Sequence, residues 1–368
     1  MGDMKVDIIR SLSEFEALAD EWNELLVNSD ANSIFLSWEW MISWLKVHSD
    51  KDIIVITVRN DSGRLTGVAP YYIAVMRFVM LIKYKTLRAI GDIESGAEYP
   101  DWIVRKGEEE RALECIMNAL LSVRSVWDCI WMPRMAGWSG ASSRMRYFCS
   151  GGGLPFHERP HIFSGFVLPI SASKFQLKLS KNRKQQLKRQ TKKIFHSEKV
   201  SVVGCNDDMG LDRLLNDLFE LNKKRWNEVG CKGTFEKKPR EANFYRNFVP
   251  EAQKKGWLLL MGIADGRDVK AIQIGYLYNS HFHQIQEGFD PNYTAGAGNV
   301  LRLKIIEHCI ELKAEYYDFL GGYSEHKRRW GAVKREGFDI FIGNGSLKSR
   351  ILFLFEVWPS GKYLNFLP

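Results

Sequence analysis

Apolar residues along the chain fall into two spacings, and one order of elements occurs twice. In the first half, Ile53–Arg59 is a β-rich run, Asn60-Asp61-Ser62-Gly63 carries turn residues, and Leu65–Ala74 resumes the apolar run. In the second half, Trp257–Ala264, Asp265-Gly266-Arg267-Asp268 and Val269–Asn279 repeat that order. Apolar strand, Asp/Gly turn and apolar strand predict a β-hairpin at each place. Each hairpin follows a stretch with helical spacing. Trp38–Val47 has Trp40 and Trp44 four apart, and Leu211–Trp226 repeats Leu211, Leu214, Leu215, Leu218 and Phe219 at helical intervals. The recurrence predicts two copies of one architecture. Glycine and proline cluster from Gly151-Gly152-Gly153-Leu154-Pro155 to Gly165, which places a boundary there and divides the chain into 1–160 and 161–368.

The second half is the more detailed of the two. Leu187, Thr191 and Ile194 give Leu179–Ile194 a narrow apolar stripe on an otherwise charged helix. A third strand, His281–Gly288, follows the tight Asn279-Ser280 turn. Then come a glycine-containing loop, Asp290–Gly298, a helix, Asn299–Lys313, and a strand, Tyr316–Leu320. Short strands interleaved with helices exclude an all-helical or all-β class and predict an α/β (α+β) fold.

Length and composition fit this division. The chain has 368 residues, enough for two domains, and its 45% hydrophobic and 26% charged residues are those of a folded protein. The N-terminus lacks a basic-then-apolar signal pattern, and apolar runs such as Phe78–Ile82 and Ile351–Phe355 are too short to span a bilayer. The six cysteines show no CxxC spacing, and the histidines form no helical metal pair. Reduced thiols, no metal and a cytoplasmic location are therefore expected.

Charge changes the picture at one place. Ten Lys and Arg residues between Lys174 and Lys199 face one acid, Glu198, so these 26 residues carry +9 of the net +8 while the remainder sums to about −1. Such a cluster suits an anionic substrate, a CoA phosphate, RNA or an anionic membrane surface, or is a solvated face. Only Phe175 and Phe195 accompany it as aromatics for stacking on RNA.

Candidate chemistry concentrates in His281–Trp330. Gly296-Ala297-Gly298-Asn299 opens directly into a helix, where glycines let backbone N–H groups approach an anion such as a pyrophosphate. Its place after a third antiparallel strand argues against a dinucleotide-binding βαβ unit. Glu287 and Asp318 lie at strand ends, where either could take a nucleophile's proton, and Lys327 could pair with a carboxylate or a substrate phosphate.

The order strand, Gly-x-Gly loop, helix and strand resembles the acyl-CoA-binding core of GNAT acyltransferases. Tyr293, Gly296 and Gly298 fall at the positions of that family's Gln/Arg-x-x-Gly-x-Gly/Ala loop, with Tyr293 in place of the basic or amide residue. Gly288-Phe289-Asp290-Pro291-Asn292-Tyr293, Tyr317-Asp318-Phe319-Leu320-Gly321-Gly322 and His326-Lys327-Arg328-Arg329-Trp330-Gly331 resemble the CelD-type acetyltransferase family, which is related to the FemABX peptidyltransferases. Phe35-Leu36-Ser37-Trp38-Glu39-Trp40 and the basic helix are similar to it too. Ala297 stands where that family has Pro, and His326 where Tyr precedes the Lys.

The resemblance implies tandem GNAT-like domains, each a mixed, mostly antiparallel sheet flanked by helices. It implies transfer of an acyl group from acyl-CoA to an unknown amine or glycan acceptor, in polysaccharide or cell-envelope biosynthesis. Tyr293, Gly296, Gly298 and Asn299 are then the candidate donor-binding residues. Asp318, Glu287 and Lys327 are the candidate catalytic residues, and Lys184, Lys188 and Trp226 the candidates for substrate binding. The alternatives are a Fem-like transferase using aminoacyl-tRNA and a non-catalytic anion-binding GNAT scaffold.

Overall fold

The computed structural model describes residues 4–77, 82–92, 95–138, 141–205 and 210–355. The apolar run Phe78–Ile82 and the first three residues, read above for targeting, thus fall almost wholly outside the described residues. In chain order the elements are β1 (Lys5–Ile9), α1 (Leu12–Glu16), α2 (Ala19–Val27), α3 (Trp38–Val47), β2 (Ile53–Arg59), β3 (Leu65–Arg77) and β4 (Lys83–Ala89). They continue with β5 (Ile103–Val104), α4 (Glu109–Ser122), β6 (Cys129–Ala136), α5 (Ala141–Gly152) and β7 (Phe156–Val167). Next come α6 (Ala172–Lys178), α7 (Lys181–Ile194), β8 (Val200–Gly204), α8 (Leu211–Asn227), α9 (Thr234–Lys237) and α10 (Pro239–Lys254). Last are β9 (Leu258–Asp265), β10 (Asp268–Tyr278), β11 (His281–Phe289), α11 (Ala297–Glu311), β12 (Tyr316–Gly321), α12 (Glu325–Arg328), β13 (Val333–Gly343) and α13 (Leu347–Phe355).

The described residues within Met1–Ile93, Ala97–Ile162 and Glu336–Pro368 form one compact unit, and those within Glu94–Gly96 and Phe163–Arg335 form a second. The first unit orders its strands β1-β2-β3-β4-β6-β13, with β5 beside β3; only β4 and β6 are parallel. The second orders them β8-β9-β10-β11-β12-β7, and only β11 and β12 are parallel. The ladder is the same in both: three antiparallel steps, one parallel step, one antiparallel step. The two copies expected from the recurring hairpins are present, and both sheets are mixed and mostly antiparallel.

The copies differ in where the sixth strand comes from. β7 precedes the other strands of the second unit, whereas β13 follows all of them in sequence and pairs with β6 from Gly337 opposite Ala136 to Gly343 opposite Cys129. Apart from the short Glu94–Gly96 excursion, the chain passes from the first unit to the second at 162/163 and returns at 335/336. The glycine-rich stretch is also not a linker: α5 runs through Gly151 and Gly152, and β7 begins at Phe156. Gly165 belongs to the strand because a Cβ there would collide with the ring of Tyr316 on β12.

In the second unit, Phe166, Phe175, Leu187, Ile194, Phe282, Val300, Leu301, Ile305, Ile306 and Tyr317 form one buried cluster. α11 supplies its centre, and α6 and α7 pack on α11. Each large apolar side chain so buried contributes roughly 1.5–3 kcal/mol. Alternation along the strands sends Phe282 and Tyr317 toward α11 and sends His283 and Asp318 to the opposite face. There Tyr276, opposite His283 on β10, meets Phe248 of α10 edge-on. β11 and β12 pair at only three rungs: His281 with Tyr316, Phe282 with Tyr317, and His283 with Asp318. The parallel strands then separate, leaving a fork in the sheet.

Candidate active site

The fork and the head of α11 border a cavity of about 520 Å³ in the second unit. Its lining includes Glu287 and Phe289 of β11, the loop from Asp290 to Gly296, the first turn of α11, Arg302, Arg225 and His326. Gly296 is the N-cap of α11 at φ 94°, a left-handed backbone open to glycine, and a Cβ there would run into the side-chain amide of Gln190 on α7. No side chain caps the helix. The turn bonds of the loop are Ala297 N–H to Thr294 O, 3.2 Å, and Asn299 and Val300 N–H to Gly296 O, both 3.0 Å. The N–H groups of Gly296 and Gly298 enter none of them. Uncapped amides and the positive end of a 15-residue helix attract an anion.

Below the loop, charge is arranged in a connected network. Glu287 takes Arg225 Nη1 at 3.0 Å on one oxygen and Arg302 Nη2 on the other. Arg302 also donates through Nε to Gln284 Oε1 at 3.2 Å and lies 3.0 Å through Nη1 from His326 Nε2. Tyr317 donates to the same Gln284 oxygen at 2.9 Å and receives Gln273 at 3.1 Å. Burial alone would push the Glu287 carboxyl up, but the guanidiniums of Arg302 and Arg225 outweigh it and hold its pKa below the usual carboxylate range. Glu287 is therefore an ion-pair partner and a weak base at neutral pH. Burial and the guanidiniums of Arg302, Arg183 and Arg225, against the pull of Glu287, press His326 down to about 4. Its geometry agrees, since a guanidinium only donates and Nε2 must be unprotonated to accept.

Over the head of α11 stands Arg183 of α7. Its Nη2 donates to Asn299 Oδ1 at 2.9 Å, its Nη1 to Gln186 Oε1 at 3.0 Å, and its guanidinium stacks 4.4 Å from the centre of the Trp330 ring. Arg302 approaches the same ring at 5.6 Å.

The other expected residues are distributed as follows. Tyr293, Gly296, Gly298 and Asn299 all line the cavity. Asp318 does not: it is buried on the opposite face, where one oxygen receives the Leu320 N–H at 2.8 Å and the other lies 3.5 Å from His283 Nδ1. Lys327 Nζ donates to the carbonyls of Phe319, Gly321 and Gly322 at 2.9, 2.6 and 3.0 Å, so it binds the end of β12. Lys184 and Lys188 sit on α7 outside the cavity lining, and Trp226 packs near Arg225 and Lys237. Arg183, Gln190, Arg225 and Arg302 were not singled out from sequence. Arg183 carried a signal, four residues before Leu187 on the apolar stripe of α7.

Residues 181–328 match the sequence profile of the family described as Acetyltransferase (GNAT) domain. No curated protein sequence matches the chain. Among solved structures, the chain is similar to the crystal structure of FemX at 11% identity and TM-score 0.63, over 95% of this chain and 99% of that one. It is similar to a tandem GNAT protein from the clavulanic acid biosynthesis pathway at 13% identity and TM-score 0.52, over 93% and 99%. It is also similar to L-PGS from Bacillus licheniformis at 11% identity and TM-score 0.52, over 94% and 96%. At these identities the likeness is one of fold. The chain thus has a tandem GNAT-like fold, with a GNAT-type acetyltransferase domain in its second unit. Among the described residues, no helix is long and apolar enough to cross a membrane, and no group of three or more His, Cys, Asp or Glu side chains could hold a metal ion.

Proposed function

We propose that the second unit transfers an acyl group from CoA to an amine or hydroxyl acceptor. The observation that carries this reading is the uncapped head of α11, opening on a cavity beside a fork between two parallel strands. The amides of Gly296 and Gly298 hold the donor's pyrophosphate, with Tyr293 and Asn299 beside them. The acyl thioester lies along the fork. The acceptor's nitrogen or oxygen attacks the thioester carbonyl, the carbon–sulfur bond breaks, and the departing thiolate ends with a proton. His283, oriented by Asp318 on the opposite face of the fork, takes the acceptor's proton. Glu287 and Arg302 hold the cavity floor. A CoA donor suits the cytoplasm, and the CelD-type resemblance favours an acceptor in polysaccharide or cell-envelope synthesis.

Acetyl-CoA at about 100 times its Kd raises the folded state's stability by about 2.7 kcal/mol, which is read as a melting shift. No shift with acetyl-CoA or longer acyl-CoAs, and no thiol release with any amine or sugar acceptor, would overturn the reading. The +9 of residues 174–199 favours a second reading, with aminoacyl-tRNA as donor. A shift with tRNA and none with CoA selects it.

A further inference from the structure

At the loop position from which a basic or amide side chain would reach the phosphates stands Tyr293, and no Lys or Arg lies between Asp290 and Gly298. Directly above the loop, α7 brings two polar side chains to the head of α11. Arg183 and Gln190 are seven residues apart, two helical turns, and so share the inner face of α7 with Leu187 and Ile194. Arg183 is 7% exposed, yet no carboxylate among the described residues pairs with it, and its buried Nε has no hydrogen-bond partner. The side-chain amide of Gln190 lies against Gly296, and its buried Oε1 also has no partner.

A buried guanidinium without a counter-charge is costly unless a ligand supplies the anion. Burial first, and then the guanidiniums of Arg302 and Arg329, pull the pKa of Arg183 down from its ordinary value. The surroundings therefore disfavour its charge as they stand. Glu287 pairs with both Arg225 and Arg302, so its one charge is already shared between two guanidiniums and does not reach Arg183. Arg183 is also held in place by its stack on Trp330 and its bond to Asn299, in the first turn of α11.

We propose that Arg183 and Gln190 complete a diphosphate-binding cradle at the head of α11, with α7 supplying in space the basic and amide donors that are missing at Tyr293. This rests on the donor site proposed above and names the residues that give it charge and selectivity. The ligand class is a diphosphate ester, and the basic helix serves the site through its inner face. Lys184 and Lys188, one position off that face, are not required.

The test compares the full-length protein with Arg183→Met, Arg183→Lys and Gln190→Leu, using inorganic pyrophosphate and acetyl-CoA as probes in calorimetry and thermal shift. Arg183→Met is expected to weaken both probes about 10- to 100-fold, the scale of a lost charge-assisted contact. Its ligand-free melting temperature should not fall, since an unpaired buried charge is removed. Arg183→Lys should recover part of the affinity, and Gln190→Leu should weaken both probes less than Arg183→Met. Unchanged affinity for both probes in folded Arg183→Met protein overturns the cradle while leaving the CoA reading intact. Pyrophosphate binding that depends on Arg183, without acetyl-CoA binding, keeps the cradle and overturns the CoA reading. A wild-type protein that binds neither probe overturns both.

Discussion

Arg302 Nη1 donates to His326 Nε2 across 3.0 Å, so the imidazole is neutral with its proton on Nδ1. Protonating His326 would set a cation against a guanidinium. Its folded pKa of about 4 lies below the usual 6.5. Between those values the unfolded chain takes up a proton that the folded protein refuses. Stability from this group is full above about pH 6.5 and is lost as pH falls toward 4. Glu287, also depressed, adds a further loss below its ordinary 4.5. His326→Asn should flatten the slope of unfolding free energy between pH 6.5 and 4, measured by urea titration. An unchanged slope would count against this account.

Glu287 should behave as a structural ion and not as the reaction's base. Glu287→Ala leaves the buried Arg302 without its counter-charge, which costs about 3–5 kcal/mol. A fall in urea midpoint should accompany any loss of turnover. Full stability with lost turnover would restore the catalytic role.

Asp318→Asn keeps the acceptor for the Leu320 N–H but removes the charge that orients His283. It should lower turnover about 100-fold, with a smaller effect on donor affinity. His283→Gln should lower it to a similar degree, and the double variant no further, since paired residues act as one unit. Near wild-type turnover in both single variants would remove the pair from the mechanism.

Gly298 is close to Phe289 only at ordinary contact, 3.5 Å from an added Cβ. Gly298→Ala should therefore fold and retain most donor affinity. Gly298→Asp places negative charge in the first turn of α11, where the phosphates would sit. Its melting temperature should stay near wild type while acetyl-CoA affinity drops at least about tenfold, as calorimetry would show.

Lys327 closes the end of β12 by donating to three carbonyls. Lys327→Met keeps the aliphatic stem and should cost about 1–3 kcal/mol of stability by leaving those groups under-satisfied. A variant as stable as wild type but inactive would assign Lys327 a catalytic role.

Much of this was written locally in the chain. The first strands of the two hairpins, Ile53–Arg59 and Leu258–Asp265, and helices α3 and α8 obey spacing that needs no distant partner, and their observed ends fall within a residue of expectation, while β3 runs three residues past its expected end at Ala74. β7 was obscured because its glycine and prolines look like a linker, while Gly165 in fact answers to Tyr316, 151 positions away. α10 was hidden by Pro250 inside it, although Phe244, Tyr245, Phe248 and Val249 are buried. The Gly296–Gly298 turn into α11 was legible because glycine before a helix is a local signal. Arg183 was one cation among ten until packing turned it inward, and the Glu287–Arg302 pairing, 15 residues apart through a loop, has no local signature.

The part of β13 that completes the first unit, Gly337–Gly343 paired with β6, is made only after every residue of the second unit. During synthesis β6 must therefore wait, with the edge that β13 will cover unpaired, while the second unit is translated and begins to fold. The N-terminal half of this chain is begun first and completed last. An arrested chain ending at Arg335 should carry the cavity at the head of α11 complete and a first unit with an open sheet edge, prone to pair with the same edge on another ribosome-bound chain.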